Sequence, residues 1–183
     1  TGVQTCALPI YPLLAGMANC QYDMAISAMT ITADRAEQFS FSDPYINAGQ
    51  IVTVTMDNNA IMGPADLEGM TIGAQIGTTG AMEAEAIANT TVKVYDTYEL
   101  AFLDLANGQI DAVIGDYPTA AAFVNKNSAT LKTVGEVFTD ENYGIAFCKG
   151  NTALIAKVND ALAALKSEGF IDDLVVKWYG SSD

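Results

Sequence analysis

The sequence predicts an α/β fold of mainly parallel sheets flanked by helices, and three observations carry that reading. Apolar runs of strand length alternate with helical runs along most of the chain. Gly, Asn, Asp and Pro punctuate those runs at turn-like intervals. Of the 183 residues, 50% are hydrophobic and only 16% charged, enough for a buried core and unlike a disordered composition. At this length the chain forms one large domain or two small lobes.

Taken in order, residues 1–10 show neither a helical nor a strand period, do not run on into the segment after them, and are read as a non-native tail. Residues 13–17 read as the end of a helix, 22–27 as a short buried strand, and 30–35 as a polar turn. The alternating IVTVTM within residues 49–56 predicts a strand, and 65–69 a short helix after the turn residues 57–64. Residues 71–75 form a strand that meets Gly77-Thr78-Thr79-Gly80, and 81–88 a helix with Glu83 and Glu85 near its positive end. A strand over 92–95, a helix over 98–106 stopped at Gly108, and a strand over 110–115 leading to Asp116 continue the rhythm. Pro118 opens another helix, 131–136 and 143–149 read as strands, Asn151 caps a long helix, and 170–179 form a last amphipathic helix. Ligands of such sheets sit beyond the carboxyl ends of strands, where the polar loops fall.

Composition removes several function classes. A formal charge of −14 repels nucleic acid and anionic membrane surfaces. Histidine is absent, and with it the commonest general base, the Ser-His and Cys-His pairs and the commonest metal ligand. Cys6, Cys20 and Cys148 lack metal-site spacing and allow at most one bridge; the apolar run around Cys148 reads as a small buried side chain. Neither a metal nor a cofactor is expected. No apolar run approaches the roughly 18 residues that span a bilayer, and the first ten residues lack a signal peptide's pattern, so an export signal is expected to have been lost.

Arg35 is the only arginine, just after a buried strand in a strongly acidic chain. A guanidinium presents paired donors that match a carboxylate, with the Thr30 hydroxyl and nearby N–H groups able to complete a cradle; the alternative is a surface salt bridge to Asp34 or Glu37. Asp116 ends a buried strand, where its carboxylate pairs with an ammonium group or caps the helix after Pro118. Residues 77–80 lack the lysine of a phosphate loop and are read as N–H and hydroxyl donors for a smaller anion.

The run YDMAISAMTITADRAEQFSFSDPYINAGQ at 22–50 resembles the signature region of the amino-acid-binding family of ABC-transporter solute-binding proteins. GAQIGTTG (73–80), DLANGQIDAVIGDYP (104–118) and ENYGIAFCKGN (141–151) continue the likeness in order, covering about residues 11–180. The resemblance implies a two-lobed periplasmic-binding-protein fold of type II that closes on a free amino acid, polar or charged, and presents it to a membrane permease. Lobe one is then residues 11–52 and 146–183, and lobe two residues 53–145, with hinge strands at 50–56 and 143–149. The resemblance places the ligand carboxylate on Ala28 through its backbone, Thr30, Arg35 and Thr78, the ammonium group on Asp116, and the ligand side chain by Gln75.

The family's first strand, first helix and second strand, with an aromatic cover for the ligand, would precede Tyr11, so lobe one is expected to be incomplete. Such a chain exposes sheet edge and core surface and binds weakly or not at all. The expected protein is a monomeric, periplasmic or extracytoplasmic receptor, possible as a lipoprotein, and not an enzyme. Its rivals are a cyclohexadienyl-dehydratase-like enzyme on the same scaffold, betrayed by turnover of a cyclic carboxylic acid, and the sensory module of a membrane receptor, betrayed by flanking sequence.

Overall fold

The structure is a computed structural model and describes residues 10–179. Residues 1–9, most of the segment read as a tail, and 180–183 lie outside the described residues. Residue 10 opens a helix, α1 (Ile10–Ala18), whose Leu13, Gly16 and Met17 are buried. Its first residue falls within the segment read as a tail.

Beyond α1 lies the first sheet. Its strands are β1 (Met24–Thr30), β2 (Ser40–Phe41), β3 (Ile46–Asn47) and β9 (Asn142–Phe147), and β1, β2 and β3 each pair antiparallel with β9. The expectation of a mainly parallel sheet fails here. Parallel neighbours need a helical crossover between them, whereas these three strands meet one strand that returns some hundred residues later. β1 was also expected to be buried, but only Met29 and Thr30 are, because β9 covers a single side of an edge strand. Residues 33–38, read partly as a turn, form the short helix α2 (Ala33–Gln38), with the Thr32 hydroxyl accepting from the Arg35 N–H as its N-cap. α6 (Thr152–Ser167) and α7 (Phe170–Tyr179) flank this sheet, α6 through Leu162 against Ile145 and Phe147.

The second sheet has the order β6-β5-β7-β4-β8. β5 (Thr71–Gln75) lies parallel to β6 (Thr91–Tyr95) and β7 (Ala112–Asp116), while β4 (Gln50–Thr55) runs antiparallel to β7 and to β8 (Leu131–Val134). Helices α3 (Thr79–Ala86), α4 (Tyr98–Ala106) and α5 (Tyr117–Lys126) flank it. The 65–69 helix reduces to a 3-10 turn at Pro64–Asp66. β4 reads as alternating, yet its first five residues are all buried, because strands hold it on both edges and side chains cover both faces. One cluster packs Ile51, Phe102, Leu105 and Val113; the other packs Val52, Val54, Ile72 and Ile114. The chain passes between the sheets twice, from β3 into β4 and from β8 into β9.

Cys20 and Cys148 form a disulfide, with Cα atoms 4.9 Å apart, which corrects the reading of Cys148 as an isolated buried thiol. The cause is register: Met24 stands opposite Phe147 and the Cys148 N–H donates to the Asp23 carbonyl, so the turn after α1 meets the end of β9.

Candidate functional site

The second sheet's loops and the start of α2 face each other across the passage between the sheets, and Arg35 joins them. Its Nη1 donates to the Thr30 carbonyl at 2.7 Å and its Nη2 to the Gly77 carbonyl at 3.1 Å. The surface salt bridge with Asp34 or Glu37 is not formed; among the described residues the ion pair is Lys93 with Asp104. Burial weakens the hold of Arg35 on its proton, while the fields of Asp116 and Glu141 oppose that, and a guanidinium stays charged throughout. Two of its five N–H donors are engaged, so donors remain for an incoming anion. Thr32, Arg35, Gly77, Thr78, Thr79 and Met82 are among the residues that line a cavity of about 390 Å³ here.

On the α3 side, Thr78 is the N-cap: its hydroxyl accepts from the Ala81 N–H at 3.3 Å and donates to the Gln75 carbonyl at 2.7 Å. The cap takes the Ala81 N–H, and Thr78, Thr79 and Ala81 border the cavity, so the N-terminal end of α3, where helices favour anions, lies at it. Glu83 and Glu85 do not fall in the first turn, which holds no acid. Gln75 ends β5 and turns its amide to the Asp96 carbonyl.

Asp116, at the end of β7, does not line this cavity and is 9% exposed. As the residue before α5 it makes no side-chain cap. Its Oδ1 instead accepts from Gln50 Nε2 at 2.6 Å and its Oδ2 from the Tyr143 hydroxyl at 2.5 Å. Burial pushes the Asp116 carboxyl above its usual range; the Tyr143 and Gln50 bonds pull it back, Glu141 raises it and Arg35 lowers it. Tyr143 stands opposite Thr30 in the β1–β9 pairing, so one chain of contacts runs Asp116, Tyr143, Thr30, Arg35.

Ala28 is the outlier. It sits exposed at φ +47°, where the β1 register slips between Ala25 and Met29. A left-handed alanine costs roughly 1–2 kcal/mol, and such strain collects where a backbone is being aimed.

Four residues missed in the sequence complete the cluster. Gln50, fully buried, also donates to the Thr79 hydroxyl at 3.1 Å, and its Oε1 has no partner among the described residues. Glu141 accepts from Thr79 Oγ1 at 2.6 Å and Thr139 Oγ1 at 2.9 Å. Tyr98 stands 3.4 Å from Thr78 Oγ1. The ring of Tyr11 lies beside Gly77, within van der Waals reach. A glutamine opening an apolar strand was the available signal for Gln50; nothing local distinguishes Glu141. Among the described residues no cluster of His, Cys, Asp and Glu is placed to hold a metal ion, and no helix is long and apolar enough to cross a membrane.

The model of the bacterial extracellular solute-binding proteins, family 3, matches residues 3–181, beginning inside the segment read as a tail. The L-cystine-binding protein TcyJ of Escherichia coli (strain K12) is 32% identical over 171 residues, 92% of this chain and 64% of that protein. ABC transporter arginine-binding protein 1 of Escherichia coli (strain K12) is 37% identical over 174 residues, 91% of this chain and 70% of that one. Among solved structures, an ancestral arginine-binding protein bound to arginine superposes with a TM-score of 0.88 at 37% identity, covering 96% of this chain and 79% of its own. The ancestral amino acid-binding protein AncCDT-1, a precursor of cyclohexadienyl dehydratase, gives 0.87 at 30% identity, covering 95% and 76%. The chain thus spans just under two thirds of the cystine-binding relative's length. Two helix-flanked sheets joined by paired crossings agree with the periplasmic-binding-protein fold of type II, and the chain belongs to the bacterial extracellular solute-binding proteins, family 3.

Proposed function

We propose that this chain is the receptor of an ABC uptake system, binding a free amino acid between two lobes without transforming it. The observation that carries the reading is Arg35: one guanidinium spans the Thr30 carbonyl of the first sheet and the Gly77 carbonyl of the second, with spare donors beside the open N-terminus of α3. The ligand's carboxylate takes those donors together with the backbone of Ala28, with Thr30 and with Thr78. Its ammonium group takes Asp116, and Gln75 stands toward its side chain. The two Escherichia coli relatives are described as binding cystine and arginine, so the α-amino-acid end is the shared feature.

The lobes follow the boundaries 11–52 with 146–183 and 53–145, flexing where the chain crosses into β4 and β9. Both cuts are better placed at the starts of those strands, since β4 lies wholly in the second sheet and β9 in the first. A ligand touching both lobes favours the closed state by its differential contacts, and a permease reads that closure outside the cytoplasm. The receptor works as a monomer.

A thermal-shift screen of the 183-residue chain against the twenty amino acids, carried to millimolar ligand so that weak binding registers, tests this. A ligand at a hundred times its Kd stabilises by about 2.7 kcal/mol. Arg35→Ala abolishes the shift; a shift that survives it, or no shift with any amino acid, overturns the reading. A second reading, an acid catalyst on the same scaffold, draws on buried Asp116 with its raised carboxyl and on the AncCDT-1 likeness. Consumption of a cyclic carboxylic acid would decide for it.

A further inference from the structure

The fixed charges of the cleft do not balance. Arg35 is the cation, and the carboxylates whose fields reach it are Asp116 and Glu141. Neither acid forms an ion pair within 4 Å among the described residues: Asp116 is held by Gln50 and Tyr143, and Glu141 by the hydroxyls of Thr79 and Thr139. Thr79 itself lines the cavity, so the Glu141 carboxylate stands one hydroxyl behind its wall. At the rim, Asp34 and Glu85 add charge of the same sign.

An amino acid seated on Arg35 and Asp116 brings one positive and one negative end and leaves the imbalance untouched. Counting Asp116 and Glu141 against Arg35 alone, the surplus is one negative charge, with Glu141 left over, and Asp34 and Glu85 add to it. Gln50 is fully buried and does not line the cavity; its amide N–H groups are committed to Asp116 and Thr79. An uncompensated carboxylate one hydroxyl behind the cavity wall asks for a cationic group in the cavity.

We propose that the ligand is an amino acid with a cationic side chain, and that Glu141 sets the preference for it over neutral amino acids. This rests on the amino-acid-receptor reading of the same cleft. Glu141 acts as a specificity determinant through its field and through Thr79, and leaves the grip on the α-carboxylate to Arg35.

The test is a ¹⁵N NMR titration of the 183-residue chain with L-arginine and with L-citrulline, which has nearly the same shape and no side-chain charge. Arginine is expected to bind about tenfold or more tightly than citrulline, the effect of one partly solvated charge pair. In Glu141→Gln the arginine affinity falls by about the same factor while that of citrulline stays within about twofold. Added salt weakens arginine binding to the unaltered chain more than citrulline binding, which supports the charge argument even where the variant folds poorly. Equal binding of the two ligands overturns the inference and leaves the receptor reading standing. A preference that survives Glu141→Gln overturns the role of Glu141, and binding of no amino acid overturns both.

Discussion

At the scale of the residue, Asp116 shows a conflict between stability and function. Desolvation raises its carboxyl above the ordinary value of about 3.9, so the fold favours the protonated form. The contribution to stability is therefore complete below the unfolded value and is lost as pH rises through the folded one. Asp116→Asn, which cannot ionise, is expected to melt a few degrees above the unaltered chain at neutral pH and to converge with it in acid, while losing amino-acid binding about a hundredfold or more. Melting curves at several pH values with a binding titration check both halves; a lower neutral melting temperature with binding intact contradicts them. Arg35 and Asp116 stood out in the sequence as candidates because a lone arginine and a strand-ending acid are visible locally. Glu141 and Gln50 were not, because their meaning comes from Thr79 and Asp116, distant in the chain and adjacent only once the crossings are made.

At the scale of the element, α3 owes its position to a missing side chain. A Cβ on Gly80 would fall 2.8 Å from Gln50 Oε1, 2.9 Å from the Tyr98 hydroxyl and 3.0 Å from the Ile114 carbonyl. The last of these is backbone and cannot swing away, so α3 would have to lift from β7. Gly80→Ala is expected to destabilise by roughly 1–3 kcal/mol and to weaken binding, read from urea midpoints and a titration. The disulfide acts between elements, tying the turn after α1 to the end of β9 across 128 residues of sequence. Cys148→Ser is expected to cost roughly 2–5 kcal/mol, and reduction of the unaltered chain to bring its melting point toward that of the variant. Strand and helix positions from β5 to α5 were largely readable, since alternating parallel strands and helices repeat a strong local pattern. The first sheet was not: β2 and β3 have two residues each, too few for any period, and β1 carries the bulge at Ala28.

At the scale of the whole molecule, two separately cored sheets are connected by two crossings and by a small set of polar contacts, Arg35 to Gly77 and Tyr143 to Asp116 foremost. Few contacts of this kind let the two halves move, and a ligand gripped from both sides holds them together. The first sheet leaves Ile26 of β1 62% exposed and the α7 side chain of Trp178 equally so, an apolar surface of the kind that promotes association. Light scattering is expected to show a monomer at low concentration and, at high concentration, nonspecific aggregation that Ile26→Lys on this edge reduces. The central claim, that Arg35 and Asp116 hold the two ends of an amino acid between the sheets, is tested most directly by a crystal structure of the chain grown with a saturating amino acid. The account predicts the α-carboxylate within hydrogen-bond distance of the Arg35 guanidinium and the α-ammonium on the Asp116 carboxylate. An amino acid bound elsewhere, with Arg35 still engaged only by the Thr30 and Gly77 carbonyls, would contradict it.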